Sequence, residues 1–192
     1  MSLENTDRPR ARIAEGRRNR QKLITAATEA FAAGEENVTL NAIAKQAGVG
    51  IGTLYRHFPS KEALVEAVYL DQVERLRSGA AEALANHQPA EAFREWMDLF
   101  IEWAATKHGM IETLQKALTA GTLQRSDMRA ELTTVVSTFL SAGAEAGDLR
   151  SDVAAADVSA TLAGILAVSG APGDDEQTGR MFDLLLDGLR PR

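Results

Sequence analysis

The 192-residue sequence has no cysteine, which excludes disulfides and any metal site that needs thiolates. That absence fits a reducing cytoplasm. No long apolar run is present either. The most apolar stretch, residues 153–172, is rich in Ala and Ser and is broken by Asp157, whereas a membrane span needs about 20 predominantly apolar residues. The first twenty residues are polar, carry Arg8, Arg10, Arg12, Arg17, Arg18 and Arg20, and lead into no apolar segment of the secretory kind. A soluble cytoplasmic protein with no membrane partner is expected.

Chemistry-bearing patterns are sparse too. His57, His87 and His108 are scattered, with no HExxH or paired-ligand spacing, so no metal site is expected. Gly48, Gly50 and Gly52 form a glycine string without the Lys-Ser/Thr ending of a phosphate-binding loop, and no strand precedes it. No Ser-His-Asp elbow occurs. The expectation is a non-enzyme without a cofactor. Period-2 alternation, internal repeats and a low-complexity linker after Pro59 are also missing.

Hydrophobic residues make up 45% of the chain and charged residues 25%, enough to bury a real core. The net charge of −6 is unevenly spread. Residues 1–58 hold nine Lys/Arg against six Asp/Glu, a net +3, and residues 59–192 hold twelve against twenty-one, a net −9. A basic front on an acidic body fits one end that meets phosphate. Arginines solvated in a tail would give the same tally.

Helical periodicity runs through most of the chain. Leu23, Ile24, Ala27, Ala30 and Phe31 form one face of a first helix that begins near Arg17 and stops at Gly34. Thr39 suits the N-cap of a short second helix ending at Gly48. A third spans about residues 50–57, closed by Pro59, and Ser60 caps a long fourth helix running towards Ala85. Pro89 fits the first turn of the next. That helix carries Phe93, Trp96, Met97, Phe100, Ile101 and Ala104. Later stripes follow around Leu132–Leu140, Val158–Leu166 and Met181–Leu189, with breaks at Gly109, Gly121, Gly147 and residues 170–173. The fold class expected is all-α, with about nine helices.

Residues 39–58 read TLNAIAKQAGVGIGTLYRHF. Two short helices cross steeply only if the contact residue is small and the turn tolerates positive φ. Ala44 meets the first condition and Gly48 the second. Ile43, Ala47, Val49 and Leu54 then make a small core, and the second helix turns its other face outward, ready for a major groove.

The run GVGIGTLYRHFPSKEALV closely resembles the signature of the tetracycline-repressor-type (TetR/AcrR) family of bacterial regulators. The resemblance covers about residues 15–75. Beyond them it is one of length and helical pattern. It implies a flexible basic arm over 1–14, a three-helix helix-turn-helix DNA-binding domain over 15–60, and a helical effector-binding and dimerisation domain over 61–192. Carried over by position, Gly50, Ile51 and Thr53 face base edges, and Tyr55 and His57 meet phosphates. Lys61 adds charge to free amides at the head of the fourth helix, Thr39 donates to phosphate, and Arg17 and Arg18 reach the adjacent backbone or minor groove. Family members often carry Ser-Lys where this chain has Gly50-Ile51, so readout here falls to Thr53, thymine-methyl contact and Arg56. Tyr55 and Phe58 at helical spacing also fit a core role, which is favoured for Phe58.

In the second domain Trp96, Met97, Phe100, Trp103, Met110, Leu114 and Phe139 are candidate walls of an effector pocket, with Lys107, His108, Glu112 or Gln115 as polar anchors. For each apolar one taken singly, a core role is the favoured reading, and the pocket needs apolar walls with a few polar anchors. Leu162, Leu166, Leu184, Leu185 and Leu189, beside small Ala160, Ala163, Gly164 and Ala167, are candidates for a dimer interface; packing within one chain is the other reading. The partners expected are double-stranded DNA at a palindromic operator, a small-molecule effector of unknown identity and a second copy of the chain. The function expected is a regulator, in the sense of a repressor released from DNA by its effector. A helical ligand-binding or adaptor protein without DNA binding is the alternative.

Overall fold

A computed structural model describes residues 7–34, 38–119, 125–169 and 175–191. The chain forms α1 (Asp7–Ala32), α2 (Leu40–Gln46), α3 (Ile51–His57), α4 (Lys61–Asn86), α5 (Pro89–Gly109), α6 (Ile111–Thr119), α7 (Arg125–Ala146), α8 (Ala155–Ser169) and α9 (Asp175–Leu189). Among the described residues the structure is these nine helices and no strand. Residues 1–6 of the expected arm, and the breaks expected at Gly121 and residues 170–173, lie outside the described residues.

The first helix reaches back to Asp7, over half of the segment expected as an arm. Ala11, Arg12 and Ala14 are good helix formers, and Pro9 falls in the first turn, where no helical N–H bond is lost. No apolar stripe marks that part, so periodicity did not reveal it.

Two apolar clusters hold the molecule together. The first joins Leu23, Ile24, Ala27 and Phe31 of α1 to Ile43, Leu54 and Phe58, and to Leu64, Val65 and Val68 of α4. The second is built on Phe93, Trp96, Phe100 and Phe139, with Leu162, Phe182 and Leu189 around them. Its rings are stacked: Phe93 on Phe139 at 4.8 Å, Trp96 on Phe100 at 5.4 Å and Phe100 on Trp103 at 5.2 Å between centroids. The indole N–H of Trp96 donates to the Leu76 carbonyl at 2.8 Å, fastening α5 to α4.

The boundary expected at residue 60 does not separate these clusters. The first half of α4 packs in the first cluster, and Leu76, Ala80 and Ala83 of its second half pack in the other. Met110 and Leu114 also enter the first cluster from beyond that boundary, and Trp103 packs against both. At Gly109 an added Cβ would collide with the Phe31 carbonyl oxygen, so a glycine is what lets α5 approach α1. None of the described helices is long and apolar enough to cross a membrane.

Candidate nucleic-acid interface

Local chemistry fixes the α2–α3 unit. The Ala42 N–H donates to the Thr39 hydroxyl oxygen at 3.2 Å, capping α2, an interaction worth about 1 kcal/mol. Gly48 then takes φ +63°, the left-handed region that favours glycine. The chain reverses there, and the Val49 N–H donates to the Ala44 carbonyl at 2.9 Å. Ala44 and Ile43 are buried beneath the crossing.

On α3 the two faces differ sharply. Leu54 is 0% exposed and Phe58, just past the helix, is buried, whereas Tyr55 is 52% and Ile51 39% exposed. Burying a leucine gives about 1.5–3 kcal/mol, which holds the inner face down. Gly50, Gly52 and Arg56 are exposed; Thr53 and His57 are half-buried. A Cβ added at Gly50 or Gly52 would meet nothing within 4 Å, so the start of the helix offers bare backbone to an approaching surface.

The basic half of α1 flanks this face. Arg17 and Arg18 are exposed, and the Arg20 guanidinium lies 5.3 Å from the centre of the Phe58 ring. Cβ of an alanine at position 16 would sit 3.9 Å from the His57 ring, which puts α1 beside the end of α3. Arg18 and Lys22 line a shallow surface hollow with Gln46 and Ala47 of the α2 end. Lys22, four residues after Arg18 and therefore on the same face, was missing from the sequence candidates; that spacing was the signal available. Exposed Lys45, in the last turn of α2, was missing as well.

At the head of α4 the amides are less free than expected. The Ala63 N–H donates to the Ser60 hydroxyl at 3.2 Å. The Glu62 carboxylate is held below its usual pKa, first by its own backbone N–H, then by the Ser60 side chain. Lys61, the first residue of the helix, is half-buried.

The second region contains a cavity of about 360 Å³ between α5, α6, α7 and α8. Phe100 and Trp103 line it, with Lys107 and His108, joined by Ile111, Arg129, Leu132 and Leu166, which the expected pocket did not include. Trp96, Phe100 and Trp103 also line a neighbouring space of about 20 Å³. The other candidates lie elsewhere. Met97 and Phe139 are packed in the second cluster, and Met110 and Leu114 in the first. Leu166, expected at a dimer interface, faces the cavity.

Leu162 and Leu189 need a similar correction, because both are buried within the single chain. Their apolar area is already used. Val168 at 81% and Leu184 at 72% exposure are the large apolar residues left outside on α8 and α9. Ala160, Ala163, Gly164 and Ala167 are exposed on α8 as well, and Leu185 is half-buried.

Residues 23–68 match the pattern described as bacterial regulatory proteins, tetR family. Residues 88–191 match that of the SbtR-like transcriptional regulator C-terminal domain. The fold is similar to that of a TetR transcriptional regulator from Streptomyces coelicolor, with a TM-score of 0.81 and 42% identity, over 90% of this chain and 98% of that one. It is also similar to a TetR transcription regulatory protein from Mycobacterium vanbaalenii, with a TM-score of 0.72 and 34% identity, over 93% and 98% of the two chains. The HTH-type transcriptional regulator UidR of Escherichia coli is 40% identical over 62 residues, and the match spans only 32% of its length and 32% of this chain.

Proposed function

The chain belongs to the TetR family of bacterial regulatory proteins, and from that premise we propose that it is a sequence-specific DNA-binding regulator. In this reading it is a cytoplasmic homodimer that represses transcription until a small molecule releases it from its operator. The observation that carries the reading is the split character of α3. A helix of seven residues is pinned by Leu54 at 0% exposure while Tyr55 stands 52% exposed on the other side, beside a basic α1. Such a helix can lie in a major groove, where side chains reach base edges.

The roles follow from position. Thr53 and Ile51 read bases together with Arg56, the bare backbone at Gly50 allows close approach, and Tyr55, His57, Lys61 and Thr39 hold phosphates. The Thr39 hydroxyl accepts from Ala42 and keeps its own proton to donate. Arg17, Arg18 and Lys22 extend the contact along the backbone. Pairing through the exposed Val168 and Leu184 face of α8 and α9 would set two copies of α3 in successive grooves, about 34–36 Å apart.

The route from effector to DNA is short. Lys107, His108 and Ile111 line the cavity, and Gly109 and Met110 between them press on α1 and the first cluster. Movement at the cavity wall therefore bears on α1 through this corner, as well as through α4. A ligand shifts the equilibrium only by its differential affinity for the two states.

Selection from a pool of random duplexes tests the reading. An enriched inverted repeat is expected. Lys61→Ala is expected to weaken binding to all sequences alike and to reduce the salt slope by about 1, while Thr53→Ala changes the preferred sequence. No enrichment, or unchanged affinity and salt slope in Lys61→Ala, would contradict it.

A further inference from the structure

The outer face of α3 holds few groups that can tell one base from another, and this narrows what it reads. The helix is IGTLYRH. It has no Asn or Gln, the side chains that take adenine by two hydrogen bonds, and no Asp or Glu to accept from the cytosine amino group. Thr53 and Tyr55 carry hydroxyls that both donate and accept, so neither fixes a base by itself. His57 is half-buried beside α1. Arg56 is different. Its guanidinium is a fork of donors only, and the major-groove edge of guanine offers two neighbouring acceptors, O6 and N7.

Placement favours the arginine too. Leu54, fully buried, marks the inner face. At about 100° per residue, Gly52 and Arg56, two positions before and after Leu54, both project about 160° away from it. They lie four residues apart on one outward face. Arg56 is exposed and has no ion-pair partner among the described residues. A long side chain on a helix leans towards the N-terminus, over the residue four before it. For Arg56 that residue is Gly52, where even a Cβ would meet nothing within 4 Å. The guanidinium therefore has an open track along the helix surface. Ile51 stands on the flank, about 60° from Leu54, and is a large apolar side chain left outside. Having no polar atom, it gains from a base edge at the thymine methyl.

From these features we propose that Arg56 reads a guanine through O6 and N7, with Gly52 clearing its path, and that Ile51 packs on the methyl of a thymine in the same half-site. Five residues of helix rise about 7.5 Å, or about two base-pair steps of about 3.4 Å. The two bases therefore lie within about three base pairs of each other. The proposal rests on the reading of α3 as the helix that enters the groove.

Two modified bases test it on the duplex enriched from the random pool. 7-Deaza-2′-deoxyguanosine removes the N7 acceptor, and 2′-deoxyuridine in place of thymidine removes the methyl; both keep Watson–Crick pairing. Each is placed one position at a time in one half-site, and the affinity of the full chain is read by fluorescence anisotropy at fixed salt. The unsubstituted protein is expected to lose about tenfold at one guanine and about threefold at one thymine. Arg56→Ala is expected to ignore the deazaguanine and keep the loss at deoxyuridine, and Ile51→Ala to do the reverse. Both side chains are exposed, so neither change opens a gap in the core. Gly52→Ala puts a methyl in the open track and is expected to weaken binding while helix content, read by circular dichroism, holds.

Deazaguanine without effect at any guanine overturns the assignment of Arg56, as does a loss that survives in Arg56→Ala. Deoxyuridine without effect at any thymine overturns that of Ile51, as does a loss that survives in Ile51→Ala. Unchanged affinity in Gly52→Ala overturns the share given to the glycine. In all of these results the duplex is still bound, so the DNA reading stands; absence of any enriched duplex removes both.

Discussion

The two apolar clusters are built by different means. The first is made mostly of Ala, Val, Leu and Ile, and its shape comes from backbone devices: the cap at Thr39, the left-handed Gly48 and the cap at Ser60. The second is held by stacked rings, Phe93, Trp96, Phe100, Trp103 and Phe139, and has a cavity at its edge. Small side chains around fixed turns define one geometry, which suits a helix that must meet a rigid duplex. Large rings beside an open space leave room for a guest, which suits a region that must respond to one. Trp103, Gly109 and Met110 join the two.

The largest expected effect lies at the ring stack. Phe139→Ala is expected to cost about 3–5 kcal/mol, read by urea denaturation, because Phe139 is fully buried between Phe93 and Trp96. A loss below about 1 kcal/mol would mean that the rings do not set the stability of this region. Next in size is the outer face of the second region. Val168→Glu with Leu184→Glu is expected to leave helix content intact, give monomers in light scattering and lower operator affinity about a hundredfold, since each half-site then binds alone. Dimers that persist would remove this face from the account.

In the first region Gly48→Ala is expected to cost about 1–2 kcal/mol, since φ is +63° and the added Cβ meets no neighbour. Backbone strain is then the whole effect. By contrast Tyr55→Ala should change stability by no more than about 0.5 kcal/mol yet weaken DNA binding, because the ring is half exposed. The smallest expected effect concerns Glu62. Its folded pKa lies below the ordinary carboxylate value, so its contribution is present above the unfolded pKa and lost as pH falls through the folded one. Glu62→Gln should lower stability slightly at neutral pH, where the carboxylate's contribution is fully present, and flatten the acid limb of the stability profile.

Legibility in the sequence follows the same division. Gly48, Thr39 and Ser60 act through neighbours two to four residues away, so their roles could be read from the chain. The core face of α3 was legible because Leu54 and Phe58 repeat at helical spacing. On α8 that logic fails. Leu162, Ile165 and Leu166 share the helix with Ala160, Ala163, Gly164 and Ala167, so apolar residues lie on most of its circumference and no stripe points to the core. Which side faces inward depends on α7 and α9. Leu162 turned inward, Leu166 towards the cavity, and Val168 outward. Met110 and Leu114 crossed to the first cluster for a similar reason: the turn at Gly109 and Met110 carries α6 under α4, and periodicity does not record such a direction. Arg129 gave no sign of its place because a lone arginine on an exposed helix looks like any solvated charge.

The absence of cysteine in this chain makes the central claim directly measurable. Gly50→Cys, where a side chain meets nothing within 4 Å, can carry a phenanthroline–copper cleaving group to the selected duplex. The account predicts strand cleavage confined to two sites about 10–10.5 base pairs apart, and none from the same group at exposed Ser141 on α7. Cleavage that is absent from position 50, or equal from both positions, would show that α3 does not face the DNA.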